Sequence, residues 1–265
     1  MKNVTGWDFW RFCFRLGLRE SVRGLDYFRF YEYPRVLETL SLEPGCSVLD
    51  LGCGTGLFPL FCASHFPEIR YTAVDIDDGA IAWQKKKANR LRGPANLEIC
   101  PGDSRSLGFP SESFDRVANL GSIEHIPGDG DIRTAREMGR VCRPGGRLVL
   151  SIPYGKTGGE AETTPHWKSF ERRYDERMLE DRLIGPSGCR ILAVDYFGEP
   201  GFRFSKYWYR LPFALRLPVR HFAPLASRLW LKTLPSEERS RACGVRLVLE
   251  KPGPERRPEE ERGFD

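Results

Sequence analysis

Asp50, Gly52, Gly54 and Gly56 stand in the run Val48-Leu49-Asp50-Leu51-Gly52-Cys53-Gly54-Thr55-Gly56, an apolar stretch that ends in a carboxylate and a glycine turn. Such a run predicts a buried parallel strand, a tight turn and the start of a helix. Glycine there lets a ligand reach the backbone and opens dihedrals closed to larger residues. A tight turn that binds nothing would use the same residues. The pattern departs from the dinucleotide fingerprint G-x-G-x-x-G, because Leu57 holds the place of its last glycine. Asp50 would repel a pyrophosphate and attract an ammonium group. The favoured ligand is therefore a nucleoside carrying an amino acid, ahead of a nicotinamide dinucleotide and an oxidoreductase function. Asp75 closes Ile69-Arg70-Tyr71-Thr72-Ala73-Val74-Asp75, roughly twenty residues past the glycines, where doubly wound folds place an acid on ribose hydroxyls. Its other reading is a helix N-cap, a task that Asp77 or Asp78 can also perform.

Three further runs follow in order. They are Leu97-Glu98-Ile99-Cys100-Pro101-Gly102-Asp103-Ser104, then Ser113 to Asn119 continuing through Leu120-Gly121-Ser122-Ile123-Glu124-His125-Ile126-Pro127, then Arg143-Pro144-Gly145-Gly146 leading into a strand. Together, from about Leu37 to Pro153, the chain resembles the class I S-adenosylmethionine (SAM) dependent methyltransferases, best their type 11-like branch. The resemblance implies SAM as cofactor, with Arg35, Asp50, Gly52, Gly54, Asp75, Ile76, Asp103, Ser104, Asn119 and Leu120 around it. Within that set Arg35 would meet the cofactor carboxylate and Asp103 the adenine amino group. Asn119 and Leu120 would pass its methionine end. On the acceptor side the resemblance places His125 and His166. An oxygen nucleophile would need such a base, whereas a carbon or amine nucleophile needs less. His125 could instead brace its turn through a backbone hydrogen bond, and His166 could simply contact substrate. Glu124 and Tyr154 are weaker candidates for the same work.

The elements that must position these groups alternate. Strands are expected near Ser47–Leu51, Arg70–Asp75, Leu97–Cys100, Phe114–Asn119, Arg147–Ile152, Cys189–Phe197 and Gly244–Glu250. Helical stretches such as Gly79–Arg92, Asp131–Cys142 and Tyr174–Leu183 separate them. This predicts an α/β, doubly wound, Rossmann-like sheet of seven mostly parallel strands with helices on both faces. The last strand runs antiparallel, as the resemblance implies. Residues 37–251 would form this domain, with N-terminal helices before it and a helical insertion, 198–241, before the last strand. Residues 1–36 are rich in aromatics and arginines, and Phe9, Phe12, Leu16 and Arg19 recur at helical spacing. That segment reads as a cap or lid on the site, or as an interfacial anchor at a membrane. The insertion interleaves aromatics, leucines and cations between prolines, as a helical cap or an acceptor pocket would. Residues 252–265 are rich in proline and charge and are expected to be disordered.

Composition narrows the function classes. A chain of 265 residues suits one sizeable domain with additions. Hydrophobic content of 40% and charged content of 29% fit a globular protein. No apolar run approaches the roughly 20 residues of a membrane span, and Met1 to Asp8 lacks the pattern of a signal peptide. Eight scattered cysteines without a C-x-x-C pair suggest reduced thiols in a cytoplasmic protein and no metal site, with Cys53 as small filler in the turn. A net charge of +5 comes without a nucleic-acid-binding module. The sequence thus points to methyl transfer from SAM to a small-molecule or lipid-linked, glycan-type acceptor, with oxygen favoured. Its competitor is a partner subunit that binds SAM without turnover. Peripheral membrane contact is the remaining partner expectation.

Overall fold

In the computed structural model, which describes residues 3–23, 25–161, 170–208, 210–212, 215 and 220–253, strand order decides where a ligand can sit. Strands β1 (Ser47–Leu51), β2 (Arg70–Asp75), β3 (Leu97–Pro101), β4 (Phe114–Leu120) and β5 (Cys142–Pro153) run parallel in the order β3-β2-β1-β4-β5. The chain steps outward from β1 to β3 and then crosses back to β4, so the order reverses between β1 and β4. Open α/β sheets bind ligands at the carboxyl ends of strands flanking such a reversal. The loops after β1, β2 and β4 all open there.

A short hairpin, β6 (Gly159–Ala161) with β7 (Glu171–Arg173), stands apart from the main sheet. Next come β8 (Arg190–Gly198), β9 (Lys232–Leu234) and β10 (Gly244–Glu250). As expected, β10 is antiparallel, and it pairs with both β5 and β8. Among the described residues the sheet has eight strands where seven were expected, because β9, inside the insertion, pairs antiparallel with β8. It covers an edge whose backbone groups would otherwise lack partners. Its three residues give too short a pattern to read in sequence.

Every residue of β1 is buried, because helices cover both faces and the usual alternation disappears. Helices α1 (Gly6–Leu16), α2 (Leu18–Arg23), α3 (Arg29–Leu40), α4 (Phe58–His65), α5 (Asp78–Arg90) and α6 (Gly130–Val141) account for most of that cover. Val48 and Tyr71 belong to one core layer with Phe9, Leu37 and Phe61. Leu49 and Leu51 point into the other, with Met138 and Leu183. Thr5 and Asp8 close α1 with a capping box, the Thr5 amide and hydroxyl both donating to Asp8 Oδ2 at 2.8 and 2.7 Å. The α1 helix stops at Gly17, whose φ is +122°, so Arg19 falls outside the stripe formed by Phe9, Phe12 and Leu16. The expected helix over Tyr174–Leu183 starts later, at Glu176, because Asp175 caps it and Tyr174 bridges to Tyr154. It passes into a π-helical turn at Glu180–Ile184.

The described part of the insertion is a cap with its own small core. Trp208 is 1% exposed, with Phe204 beside it and Phe204 stacked on Trp230. Glu199 ties this cap to the N-terminal segment by accepting from Tyr27 Oη at 3.0 Å and from the Ser205 amide at 2.9 Å. The expected disordered tail lies outside the described residues beyond Gly253. No helix among the described residues is long and apolar enough to cross a membrane.

Candidate functional site

The glycine turn is held from three directions. The amides of Gly52 and Cys53 donate to the Val74 carbonyl at 2.8 and 3.1 Å. From α5, Gln84 Nε2 donates to the carbonyls of Gly54 and Gly56 at 3.0 and 2.8 Å. The Gly54 amide donates to Asp75 Oδ2 at 2.7 Å, and the Asp77 amide to Asp75 Oδ1 at 2.9 Å. Asp77 caps α5 itself by accepting from the Gly79 amide, so the capping reading of Asp75 falls away. Gly52 has φ +71° and Gly54 +50°, a region that penalises side chains. The two glycines differ in their surroundings. A Cβ on Gly52 would strike Ser122 Oγ, whereas one on Gly54 would meet nothing within 4 Å. Gly52 is needed for packing; Gly54 presents bare backbone to open space.

Asp50 behaves differently from the expectation. It is 2% exposed and accepts from Tyr71 Oη at 2.9 Å. Burial pushes its pKa up to about 7, against the lowering effect of that hydrogen bond. The carboxylate is thus enclosed beneath the turn.

The loop after β4 supplies the facing wall. Asn119 is fully buried, donating Nδ2 to the Leu51 carbonyl and Ser122 Oγ while its Oδ1 accepts from the Ile123 amide. It splices the ends of β1 and β4 together, with its polar atoms engaged inside the protein. Leu120 is half-buried, against the first core layer. Over Gly121, at φ +74°, lies the Arg29 guanidinium, close enough that any side chain would collide with it. Arg29 Nη1 donates to Glu32 Oε2 at 3.1 Å, and Glu32 Oε1 accepts from Ser151 Oγ at 2.6 Å. Burial is the largest single influence and works against the Arg29 charge, but Glu32, Tyr33, Glu124 and Asp26 together outweigh it and raise its pKa. Arg35 lies elsewhere: its guanidinium stacks on the Tyr31 ring at 3.7 Å, and Tyr31 Oη bonds Thr233. On α3 the cation brought to the site is Arg29.

Glu124 and His125 follow in the same loop. His125 Nδ1 lies 2.8 Å from the Phe170 carbonyl, which can only accept, so Nδ1 carries a proton. That leaves Nε2, 4.0 Å from Glu124 Oε1, to carry the lone pair or a second proton. Glu124 is 4% exposed. Among the described residues its Oε2 has no hydrogen-bond partner. Burial raises its pKa to about 7, the nearby His125 opposing the shift. A buried ion pair fixes this loop from behind: Arg172 Nη1 meets Asp131 Oδ2 at 2.8 Å, and Arg172 also donates to the carbonyls of Ile126 and Gly128.

The remaining expected residues divide. Ile76 is an exposed apolar side chain immediately after Asp75. Ser104 Oγ bonds Thr134 Oγ1 at 3.0 Å. Asp103 is gripped by Arg105, whose Nε and Nη2 reach it at 2.9 and 2.7 Å and hold its pKa below the ordinary range. His166 lies outside the described residues. Sequence reasoning missed Arg29 and Gln84. The signal for Arg29 was weak, an i,i+3 pair with Glu32 at the start of a helix; for Gln84 there was none.

Bare backbone at Gly54, a carboxylate at Asp75, an apolar flank at Ile76 and a guanidinium at Arg29 fit a ligand with vicinal hydroxyls and a carboxylate. Comparison with known proteins identifies the family. Residues 48–146 match a family model described as a methyltransferase domain. A phosphatidylethanolamine N-methyltransferase of Cereibacter sphaeroides is 33% identical over 143 residues, 53% of this chain and 68% of that one. A fatty-acid O-methyltransferase of Mycolicibacterium smegmatis is 35% identical over 140 residues, 53% of this chain and 47% of its own length. Among solved structures, a geranyl diphosphate C-methyltransferase from Streptomyces coelicolor, in complex with S-adenosyl-L-homocysteine, superposes with a TM-score of 0.60. At 13% identity, over 84% of this chain and 80% of that one, it shows the shared fold.

Proposed function

The chain belongs to the class I SAM-dependent methyltransferases, in their type 11-like branch, and from that premise we propose that it methylates a hydroxyl oxygen on a small-molecule or lipid-linked, glycan-type acceptor. SAM, when bound, supplies an electrophilic methyl carbon on a sulfonium, whose departure leaves a neutral thioether. Asp75 would take the ribose hydroxyls, Ile76 and the loop of Asp103 and Ser104 would border the adenine, and Arg29 would hold the carboxylate. Backbone at Gly52 and Gly54 would let the ligand approach closely, while Asn119 and Leu120 would shape its methionine end.

The observation that carries the oxygen reading is the pairing of His125 with Glu124. A hydroxyl nucleophile must lose a proton as it attacks, and a positioned base typically contributes about 10²–10⁴-fold. His125 is part-exposed, its Nδ1–H is fixed on the Phe170 carbonyl, and its Nε2 is the atom free to take that proton. Glu124, once ionised, would stabilise the imidazolium that forms. The acceptor's lipid character is supported by relatives named for phosphatidylethanolamine and fatty-acid methylation.

The pH dependence tests this directly. The Glu124 pKa, raised from 4.5 to about 7, leaves the group protonated and uncharged below that range. Methyl transfer should therefore increase as pH climbs through about 7 and then level off. Glu124→Gln should remove the part of that rise due to Glu124 and lower the plateau, and His125→Gln should lower kcat by about 10²–10⁴-fold, with SAM affinity by calorimetry unchanged in both. Full activity in His125→Gln would sink the oxygen reading while leaving SAM binding intact. The same shift has a stability sign. Because the folded state holds the Glu124 proton more tightly than the unfolded chain, stability falls as pH rises from 4.5 to about 7.

A further inference from the structure

The N-terminal helices and the insertion share an outer face that the methyl-transfer site does not use. On α1, Trp7 and Phe14 stay exposed while Phe9, Phe12 and Leu16 are buried. Leu18, just beyond the helix break at Gly17, is 81% exposed. The helix Ala223–Trp230 lies alongside, and its outward residues Leu225 and Leu229 are exposed, as is Phe222 before it. His221 joins the two halves: Trp10 Nε1 lies 3.3 Å from its Nδ1, and the Phe14 ring stacks on it at 6.2 Å. The apolar surface is therefore one patch drawn from two distant parts of the chain.

Cations are set into that patch. Arg11, Arg15, Arg19 and Arg228 are exposed beside the apolar residues. The nearby acids are engaged, Asp8 in the α1 capping box and Glu20 with Lys87 at 2.5 Å. Where Leu18 meets α5, a cavity of 350 Å³ opens between Leu18, Arg19, Glu20, Trp83, Lys86 and Arg90. Its inner surface is almost wholly apolar and suits an acyl chain, while the exposed Arg19, Lys86 and Arg90 around it suit anionic headgroups. Two copies of this face would bring arginine against arginine, which disfavours self-association.

We propose that this face docks on an anionic phospholipid bilayer, with Trp7, Phe14, Leu18, Phe222, Leu225 and Leu229 entering the interface and the exposed Arg19, Lys86 and Arg90 meeting lipid phosphates. Aromatic and leucine side chains beside arginines match the headgroup boundary, where apolar burial and attraction to anionic lipid add. The α1 helix connects the surface to the site: its inner Phe9 stacks on Phe61 and packs against Tyr33, next to the glycine turn. Docking would thus hold the site beside its lipid acceptor. This inference goes beyond the acceptor reading and does not depend on the methylated atom.

Sedimentation of the full chain with vesicles tests it. The protein should pellet with mixed phosphatidylglycerol–phosphatidylcholine vesicles and much less with phosphatidylcholine alone. Salt at about 1 M, where screening reaches about 3 Å, should release it. The double variant Leu18→Asp/Phe222→Asp should bind vesicles at least about tenfold more weakly. Arg19→Glu/Lys86→Glu should lose the preference for anionic lipid. Both alter exposed side chains, so SAM affinity should stay at the wild-type value and report that the fold is intact. Methyl transfer to a detergent-dispersed acceptor should also persist, which separates failure of docking from failure of the acceptor reading. Wild-type protein remaining in the supernatant with both vesicle types would overturn the proposal. So would variants that bind like wild type, or a dimer that the same variants dissolve.

Discussion

The glycine turn and the outer face of α1 lie on either side of one packed layer, and they are made of opposite materials. At the turn the contacts are backbone: the amide of Gly54, the carbonyls held by Gln84 and the φ of +50° that keeps Gly54 open. On the outer face they are long side chains, with Phe14, Leu18 and Phe222 standing between arginines. Backbone anchored to a sheet has few conformations left, so it suits one ligand of fixed shape. Side chains on a helix surface keep their rotamers and suit a partner without fixed geometry. The difference teaches that this chain concentrates its rigidity at the glycine turn and its adaptability on the outer face of α1.

That contrast can be broken by mutation. The largest effect on stability should come from Trp208→Ala, which empties a buried site in the cap and should cost about 3–5 kcal/mol of unfolding free energy. Denaturant melts would measure the loss, and calorimetry should show SAM affinity unchanged. A large fall in SAM affinity would mean that the two regions are coupled. Gly54→Val should do the reverse. Its Cβ meets no protein atom, so the melt should move little beyond the strain of its positive φ, about 1–2 kcal/mol. SAM affinity should fall by about a hundredfold as the branched side chain fills the ligand's approach. Retained affinity would make the turn structural alone. Asp75→Ala should have a smaller effect, about 1.5–3 kcal/mol of SAM binding for charge-assisted hydrogen bonds. Calorimetry on the folded variant would detect it, and no change would remove Asp75 from the ribose.

Much of this was legible before any tertiary contact was known. The strands from Ser47 to Glu250 could be placed because a strand covered on both faces is mostly apolar, as β1 is apart from Ser47 and Asp50. The turn could be placed because glycine and an acid at a fixed interval are local signals. The Glu124–His125 loop was found as a motif, although not as a pair. What stayed hidden was short or remote. The strand β9 is three residues long, and the Gln84 side chain acts on carbonyls 28 and 30 positions away.

The sequence by itself determined the doubly wound sheet, the glycine turn and the acid at the end of β2, each from spacing along the chain, and its resemblance to a known family implied the use of SAM. Tertiary structure alone decided which groups lie beside the glycine turn and the loop after β4. Arg29 and Arg35 are equally basic and lie on one helix, yet Glu32 and Gly121 fix the first at the site, and Tyr31 draws the second away. Asp50 and Asp75 both end strands, yet Tyr71 encloses one and the Gly54 amide orients the other. Trp208 and Phe222 come from the same aromatic insertion, one becoming core and the other surface. Residue type sets what a side chain can do, but its direction depends on neighbours distant in sequence, and those neighbours exist only once the chain has folded.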